Sequence, residues 1–274
     1  MKTLIIAETG CTHEGSLGAL LALVDLAAEV GVDVLKTQFV SDPAALCARR
    51  NAADYQPYYE WLKFPAEWHE ILAGRCGRLG IRYASTVYLP ADIAVIDPYV
   101  SLYKVAAFEA EADDLLDAYV ERMRENDRTL YVSVAMGTAW RPERFPEEIR
   151  ARCQALRCVS AYPTPPEQLN LATIRAQGFV GLSDHTAPDQ VQTGALAVAA
   201  GATVIERHIR LESASPRNPD YAVAMSAHAL AAYVENIRKA EAAMGEATAT
   251  AVQPAEEPMA AYRARGRRPK GVEV

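Results

Sequence analysis

Eight short, apolar, β-rich runs alternate with longer amphipathic stretches in this chain of 274 residues, and this alternation constrains the fold more than any other feature. The runs are residues 4–7, 32–39, 81–85, 101–106, 129–134, 156–161, 178–183 and 203–209. Between them apolar residues recur every three or four positions, as Leu17, Leu20 and Val24 do, which is the spacing of helices. Eight strand–helix repeats in one domain predict an α/β fold, a closed (β/α)8 TIM barrel.

The ends of the predicted barrel can also be placed. Ser16 is a candidate N-cap of the first helix and Gly31 its stop, and the last helix is expected to end near Gly245. We therefore predict a barrel over residues 1–245. Residues 246–274 form a linker-like tail in this prediction, because residues 246–257 are rich in Ala, Thr, Pro and Glu without helical periodicity. The basic residues of this tail are Arg263, Arg265, Arg267, Arg268 and Lys270.

Composition excludes several classes of protein. The net charge of −7 argues against nucleic-acid binding, and no apolar run approaches the roughly 20 residues of a membrane span. Met1 and the two residues after it lead directly into a predicted strand, unlike a signal peptide. Five cysteines without CxxC spacing indicate reduced thiols rather than a disulfide framework. We therefore expect a cytoplasmic protein without nucleic-acid or membrane partners.

Polar side chains occur at the carboxyl end of every predicted strand. They are Glu8, Lys36 with Gln38, Ser85 with Thr86, Lys104, Ser133, Ser160 with Tyr162, Ser183 with His185, and Glu206 with His208. In a barrel these ends meet at one mouth, where active sites of this fold lie. Burying polar groups without partners is costly, so their convergence predicts a ligand site.

Two histidines mark the last two predicted strands. His185 and His208 should project from neighbouring parallel strands to the same edge, each beside a carboxylate, Asp184 or Glu206. Two imidazoles without a thiolate fit a divalent ion that keeps open positions, whereas the simpler alternative is a pair of neutral imidazoles hydrogen-bonded in the rim. His13 could reach the same mouth, although a loop-to-helix contact explains it equally well.

Two lysines indicate an anion. Lys36 and Lys104, with the hydroxyls of Thr86, Ser133 and Ser183, could bind a phosphate or carboxylate through charge-assisted hydrogen bonds. Either lysine could instead form a Schiff base with a carbonyl substrate. The residues alone leave both possibilities open.

Several strings of residues resemble the sialic acid synthase (N-acetylneuraminate synthase, NeuB) family in order and spacing, over about residues 3–245. They are Ile6-Ala7-Glu8-Thr9-Gly10 with His13-Glu14-Gly15-Ser16, Lys36-Thr37-Gln38, Tyr103-Lys104-Val105-Ala106, Cys158-Val159-Ser160-Ala161-Tyr162-Pro163-Thr164-Pro165, Ser183-Asp184-His185-Thr186 and Ile205-Glu206-Arg207-His208. The Ser-Ala-Tyr-Pro-Thr-Pro and Ser-Asp-His-Thr strings are the most specific.

The resemblance implies an activity and roles for individual residues. The family condenses phosphoenolpyruvate with an open-chain sugar aldehyde to give a 2-keto-3-deoxy acid and phosphate, using Mn²⁺ or a similar ion such as Mg²⁺ or Co²⁺. By position, His185 and His208 correspond to the metal ligands. Lys36, Thr86, Lys104, Ser133, Ser160 and Ser183 correspond to the phosphoenolpyruvate cradle, and Glu8, Gln38, Tyr162, Glu206 and Asp220 to groups that face the sugar. The expected catalytic residues are Glu8, Lys104, His185, Glu206 and His208.

The chain departs from the family pattern at one position in the cradle and at its end. Ala107 stands where the family has a phosphoenolpyruvate-binding serine, and Phe108 replaces the glycine that follows. The resemblance includes no antifreeze-like C-terminal domain, so we expect a homo-oligomer, most simply a dimer, in which the basic tail lies near a neighbouring mouth. Two alternatives stay open, a Schiff-base lyase acting on a sugar acid and a non-catalytic barrel that binds a sugar.

Overall fold

The computed structural model describes residues 2–245 and 251–266, and it confirms the predicted barrel. Eight parallel strands close in chain order, with β8 paired to β1. The strands are β1 (Leu4–Glu8), β2 (Val34–Phe39), β3 (Arg82–Val87), β4 (Tyr103–Val105), β5 (Leu130–Val134), β6 (Cys153–Cys158), β7 (Gly181–Asp184) and β8 (Val204–His208). Every strand is therefore paired on both sides, and the barrel has no free sheet edge.

Helices follow the strands and cover the outside of the barrel. They are α1 (Leu17–Glu29), α2 (Pro43–Arg50), α3 (Gln56–Leu62), α4 (Trp68–Arg78), α5 (Pro90–Ile96), α6 (Asp113–Arg124), α7 (Glu147–Arg150), α8 (Thr173–Ala176), α9 (Thr193–Ala199), α10 (Ala227–Met244) and α11 (Glu257–Gly266). The Ser16 hydroxyl accepts a hydrogen bond from the amide of Ala19, as predicted for an N-cap, and Gly31 follows the end of α1 with a φ of +81°.

One strand lies earlier in the chain than its apolar pattern predicts. We predicted a strand over residues 156–161, but β6 ends at Cys158. The reason is local, because the carbonyl of Val159 accepts hydrogen bonds from the side chains of Thr164 and His185 instead of pairing with a strand. The chain after Cys158 is thereby free to turn over the mouth of the barrel.

The interior of the barrel is apolar at the bottom and polar at the top. A cluster of buried residues forms the floor: Ile6, Val34, Ala84, Leu102, Tyr131, Leu156 and Val204. Side chains of a strand repeat their direction every second residue, so the residues two positions further point inward as well. These are Glu8, Lys36, Thr86, Lys104, Ser133, Cys158 and Glu206, and on β7 Ser183 follows Gly181 in the same way. Gly181 completes the floor because a Cβ there would lie 1.8 Å from the carbonyl oxygen of Val204.

The alternate side chains of the strands pack outward against the helices. Leu35, Val132 and Ile205 belong to this larger buried cluster, together with Leu20 of α1 and Tyr233 of α10. Burial of each large apolar side chain stabilises the fold by roughly 1.5–3 kcal/mol. This outer core holds the strands in place, so the polar mouth does not have to stabilise the barrel.

The chain divides into two compact units, one up to Glu241 and one from Ala242. In the stretch that we predicted to be linker-like, the structure contains α11, which follows a 3-10 turn at Pro254–Glu256. Residues 246–250 of that stretch, and Arg267, Arg268 and Lys270 of the basic end, lie outside the described residues. None of the described helices is both long enough and apolar enough to cross a membrane.

Candidate active site

One cavity of about 220 Å³ at the carboxyl ends of the strands brings together most of the side chains that the sequence singled out, although not Ser85, whose hydroxyl accepts a hydrogen bond from Thr37 on the outer side of the barrel. Its lining includes Glu8, Lys36, Gln38, Thr86, Lys104, Ser133, Ser160, Tyr162, Ser183, His185, Glu206 and His208. Asp220 does not line it. This residue follows β8 and lines an adjoining hollow, which shares Tyr58 and Tyr162 with the cavity.

Two lysines and two glutamates form a buried charge network in the cavity. Glu206 lies between the lysines, with its carboxylate oxygens 3.1 Å from Lys36 Nζ and 3.2 Å from Lys104 Nζ. Lys36 also pairs with Glu8, its neighbour in register on β1. The ammonium groups donate further hydrogen bonds to Thr86 Oγ1 (2.9 Å) and Ser133 Oγ (2.7 Å), respectively.

The network shifts the ionisation of its members. Burial lowers the pKa of Lys36 to about 8, against the opposing effect of Glu206. Burial would raise the pKa of Glu206, but the two lysines outweigh it and hold the pKa well below its usual range. Glu206 is thus a permanent anion, whereas Lys36 is a cation that can lose its charge in mildly alkaline solution.

The two histidines lie side by side at the rim, with ring centres 5.3 Å apart. His185 Nδ1 lies 3.0 Å from the carbonyl oxygen of Val159 and donates its proton to it, which leaves Nε2 as the acceptor nitrogen. Tyr162 stacks on His185 at 4.4 Å and brings its hydroxyl within 3.1 Å of that Nε2. Burial lowers the pKa of His208 to about 4, so this imidazole is neutral at ordinary pH.

A buried ion pair behind the rim holds the ends of β7 and β8 together. Arg207 and Asp184 are both fully buried, with Arg207 Nη1 2.9 Å from the Asp184 carboxylate. Thr193 and Tyr233 donate hydrogen bonds to the same carboxylate from α9 and α10. Because side chains alternate along a strand, this network points outward while His185 points into the cavity. It therefore orients the strand ends that carry the histidines.

Asp220 is held by the loop that follows β1. Its carboxylate accepts a hydrogen bond from the amide of Cys11 (2.8 Å), and the Cys11 thiol lies 3.1 Å away. Gly10 makes this approach possible, because a Cβ at that position would lie 2.0 Å from Asp220 Oδ2 and 3.1 Å from His208 Nδ1. The glycine also adopts a φ of +49°, which other residues rarely adopt. Asp220 is thereby placed close to His208.

The chain is related in sequence to several sugar-acid synthases. The family model described as "NeuB family" matches residues 23–249. Pseudaminic acid synthase of Campylobacter jejuni is 30% identical over 89% of this chain and 76% of its own length. N,N'-diacetyllegionaminic acid synthase of Legionella pneumophila is also 30% identical, over 89% of this chain and 74% of its own length. The chain belongs to the NeuB family.

A solved structure of that kind shares the fold. N-acetylneuraminic acid synthetase of Leptospira borgpetersenii superposes with a TM-score of 0.81, covering 98% of this chain and 93% of its own, at 22% identity. At that identity the likeness concerns the fold alone. Membership of the NeuB family makes this protein a phosphoenolpyruvate-utilising transferase that condenses phosphoenolpyruvate with a sugar.

The residues that depart from the family pattern in the cradle lie in the cavity wall. Ala107 and Phe108 line the cavity within a 3-10 turn after β4. The methyl of Ala107 offers no hydrogen bond, and the ring of Phe108 is 62% exposed. The cavity wall next to Lys104 is therefore apolar at these two positions.

Sequence reasoning missed three chemically active residues that line the cavity, Arg50, Glu109 and Cys158. Cys158 follows the period-two pattern of the strand ends and could have been found from it. Burial would raise the pKa of its thiol, but the His185 imidazole 3.6 Å away outweighs that effect and lowers it. Arg50 and Glu109 lie outside the strands, so no strand pattern indicates them.

His13 does not reach the cavity. Its side chain is fully buried, its Nδ1 accepts a hydrogen bond from the amide of Gly15 (3.1 Å), and its ring packs edge-on against Phe64. The structure thus contradicts the interpretation in which His13 reaches the mouth, and the contacts that it shows are to Gly15 in the same loop and to Phe64 between α3 and α4.

Proposed function

We propose that this protein joins phosphoenolpyruvate to an aldose in the described cavity, and that His185 and His208 hold a divalent cation there. Mn²⁺ is our first choice of ion, with Mg²⁺ and Co²⁺ as alternatives. The balance of charge in the cavity is the main support for the cation. Its lining carries three cationic side chains, Lys36, Arg50 and Lys104, against three carboxylates, Glu8, Glu109 and Glu206. A cavity without net charge attracts a multiply charged anion only weakly, and a divalent cation would supply the missing positive charge.

The histidine pair suits such an ion. The hydrogen bond to Val159 fixes the His185 tautomer that presents Nε2, which is how metal-binding histidines are commonly oriented. His208 is neutral and therefore able to bind a metal. Among the described residues no group of three or more His, Cys, Asp or Glu side chains is placed to hold a metal ion, so the two histidines would be its protein ligands. Water and substrate oxygens would complete the coordination, as in catalytic rather than structural sites.

Different residues of the cavity serve different steps of the proposed reaction. Lys36 and Lys104 bind the phosphoenolpyruvate anion, assisted by the hydroxyls of Thr86, Ser133 and Ser183. A bound cation would polarise the aldehyde oxygen as a Lewis acid. C3 of phosphoenolpyruvate then forms a bond to the aldehyde carbon, and water adds at C2. Glu8, which contacts one lysine whereas Glu206 contacts two, takes a proton from that water and passes it to the oxygen of the former aldehyde. The C2 hydroxyl then gives its proton to the departing phosphate as the C2–O bond breaks and the C2 ketone forms.

The aldose is proposed to approach past the rim, where Gln38, Tyr162 and Asp220 offer polar groups, and Ser160 lies on the phosphoenolpyruvate side. Cytoplasmic action is part of the proposal, supported by five buried cysteines that are all free thiols.

Phosphate release tests the proposed function and its metal dependence. With phosphoenolpyruvate, MnCl₂ and a panel of aldoses, we expect phosphate release that a chelator abolishes. His185→Ala and His208→Ala should each reduce the rate by at least about a hundredfold and lower the metal content of the purified protein. The exposed His228→Ala is the matched control. A double variant with wild-type manganese content by mass spectrometry would contradict the metal assignment.

A Schiff-base mechanism is the second candidate, because the lowered pKa of Lys36 favours a nucleophilic amine. Borohydride reduction in the presence of pyruvate distinguishes the two mechanisms. We expect no increase in protein mass, whereas a stable adduct on Lys36 or Lys104 would establish the imine.

A further inference from the structure

A charged pair beneath the ring of Phe108 forms the cavity wall beside Ala107. Arg50, the last residue of α2, pairs with Glu109, and their side chains are only 12% and 3% exposed. Arg50 Nη1 also donates to the hydroxyl of Tyr59 (2.8 Å). The guanidinium carbon lies 4.9 Å from the ring centre of Tyr88 and 4.6 Å from that of Phe108. The guanidinium is therefore held in one orientation within the wall.

The pair is incompletely satisfied. Arg50 Nε and Glu109 Oε2 are buried and have no hydrogen-bond partner among the described residues. Arg50 Nε is a hydrogen-bond donor and Glu109 Oε2 an acceptor, and leaving either without a partner costs free energy of folding. A hydroxyl group both accepts and donates, so small movements of these side chains would let ligand hydroxyls satisfy both. Because the pair carries no net charge, it suits a neutral polyhydroxy ligand better than another anion.

The wall also faces a second hollow. Arg50, Phe108 and Glu109 line the cavity of about 220 Å³ and also a neighbouring hollow of about 450 Å³. Ligand pockets usually measure about 300–1,000 Å³, so the cavity alone is small for two substrates. The far end of the longer substrate would then extend toward this wall, where the exposed ring of Phe108 offers an apolar face for sugar C–H groups.

We propose that Arg50, Phe108 and Glu109 form a subsite for the hydroxyl-bearing far end of a neutral acceptor aldose, which makes Arg50 and Phe108 specificity-determining residues. The inference rests on the proposed function, since it assigns part of the same acceptor. The subsite lies next to Ala107 in the cavity wall.

Binding measurements on variants test the subsite without requiring turnover. Phe108→Ala removes an exposed ring, and Arg50→Lys keeps the charge while removing the fork of donors. Saturation-transfer NMR titrations would use D-erythrose, D-mannose and N-acetylmannosamine, with phosphoenolpyruvate titrated by calorimetry. We expect both variants to bind the six-carbon aldoses at least about tenfold more weakly, with erythrose and phosphoenolpyruvate changed less than about twofold. Arg124→Gln, which breaks an exposed pair with Glu148, is the control.

The possible outcomes separate this inference from the proposed function. Six-carbon affinities in both variants equal to those of the parent, or no aldose binding by the parent, would overturn the subsite. Mannose 6-phosphate is titrated in the same way as an anionic aldose, and weakened binding of this sugar alone would also overturn the subsite, because it would then recognise an anion. Loss of phosphoenolpyruvate affinity alone in Arg50→Lys would assign Arg50 to the cradle instead.

A parent that binds aldoses at this wall but never releases phosphate would refute the synthase function while leaving the subsite intact.

Discussion

At the scale of single residues, the cavity exchanges partners when it binds an anion. Both lysines are already paired with Glu206, and Lys36 also with Glu8. Phosphoenolpyruvate therefore gains its contacts partly at the expense of existing ion pairs. A buried lysine held in this way is already in position for the ligand. Each new hydrogen bond to phosphoenolpyruvate replaces one to a carboxylate, however, so it contributes only the difference in free energy between the two.

Removing either ammonium group should still weaken phosphoenolpyruvate binding. For Lys36→Met and for Lys104→Met we expect a loss of roughly 1.5–3 kcal/mol, or about ten- to a hundredfold in Kd, the usual value of a hydrogen bond to a charged group. Calorimetric titration measures this, and the exposed Lys239→Met serves as control. Unchanged affinity in both variants would refute the lysine cradle.

The lowered pKa of Lys36 predicts a particular pH dependence. The ammonium group is charged below about pH 8 and neutral above it, so anion binding weakens as the pH rises through this value. If only the charged form binds, the Kd for phosphoenolpyruvate should increase about tenfold between pH 7 and pH 9. Lys36→Arg keeps its charge over this range and should lose the dependence. The same pH profile in both proteins would show that another group titrates.

At the scale of elements, the junction of β7 and β8 depends on one buried ion pair. Arg207 and Asp184 have no access to solvent, and Thr186, Thr193 and Tyr233 satisfy further oxygens and protons around them. Burial opposes ionisation of Asp184, but Arg207 outweighs it and lowers the pKa of the carboxyl. The pair is thus charged in the folded protein, and removal of one partner leaves an uncompensated charge.

Asp184→Asn should therefore destabilise the fold strongly. We expect the free energy of unfolding, measured by urea denaturation, to fall by about 3–5 kcal/mol, the usual effect of breaking a buried pair. Arg124→Gln removes an exposed pair and should change it by less than about 1 kcal/mol. A loss below about 1 kcal/mol in Asp184→Asn would mean that the network is not a structural clamp.

At the scale of the whole molecule, the unit that begins at Ala242 carries unusually exposed apolar side chains. Val252, Met259 and Tyr262 are 51%, 68% and 72% exposed. An exposed apolar group of this kind commonly marks a contact with another protein. We expect it to be covered in a homo-oligomer, most simply a dimer.

Light scattering after size-exclusion chromatography tests the oligomer. The whole chain should elute as a dimer at micromolar concentration, and the double variant Met259→Glu with Tyr262→Glu should shift toward the monomer. Ile71→Glu, at another exposed apolar position, should not. A monomeric parent protein would contradict this expectation, as would a dimer that the double variant leaves unchanged.

The sequence by itself determined the barrel and most of the cavity lining. Strands buried on both faces appear in the sequence as continuous apolar runs. Because side chains alternate in direction along a strand, Glu8, Lys36 and Lys104 point into the barrel above its apolar floor. These signals are local, since each depends on residues within one strand. These local signals did not predict the end of β6, because hydrogen bonds from Thr164 and His185 compete with strand pairing there.

Only the tertiary structure decided which groups meet across the barrel. Periodicity gives the direction of a side chain relative to its own strand, whereas distances between distant strands depend on closure of the barrel. Glu206 of β8 therefore reaches Lys104 of β4 through the interior, and no sequence spacing reports that contact. Arg50 and Glu109 enter the cavity from segments between strands, where no repeating pattern sets the side-chain direction. Their pairing follows from the packing of α2 against the turn after β4, which is a property of the folded chain.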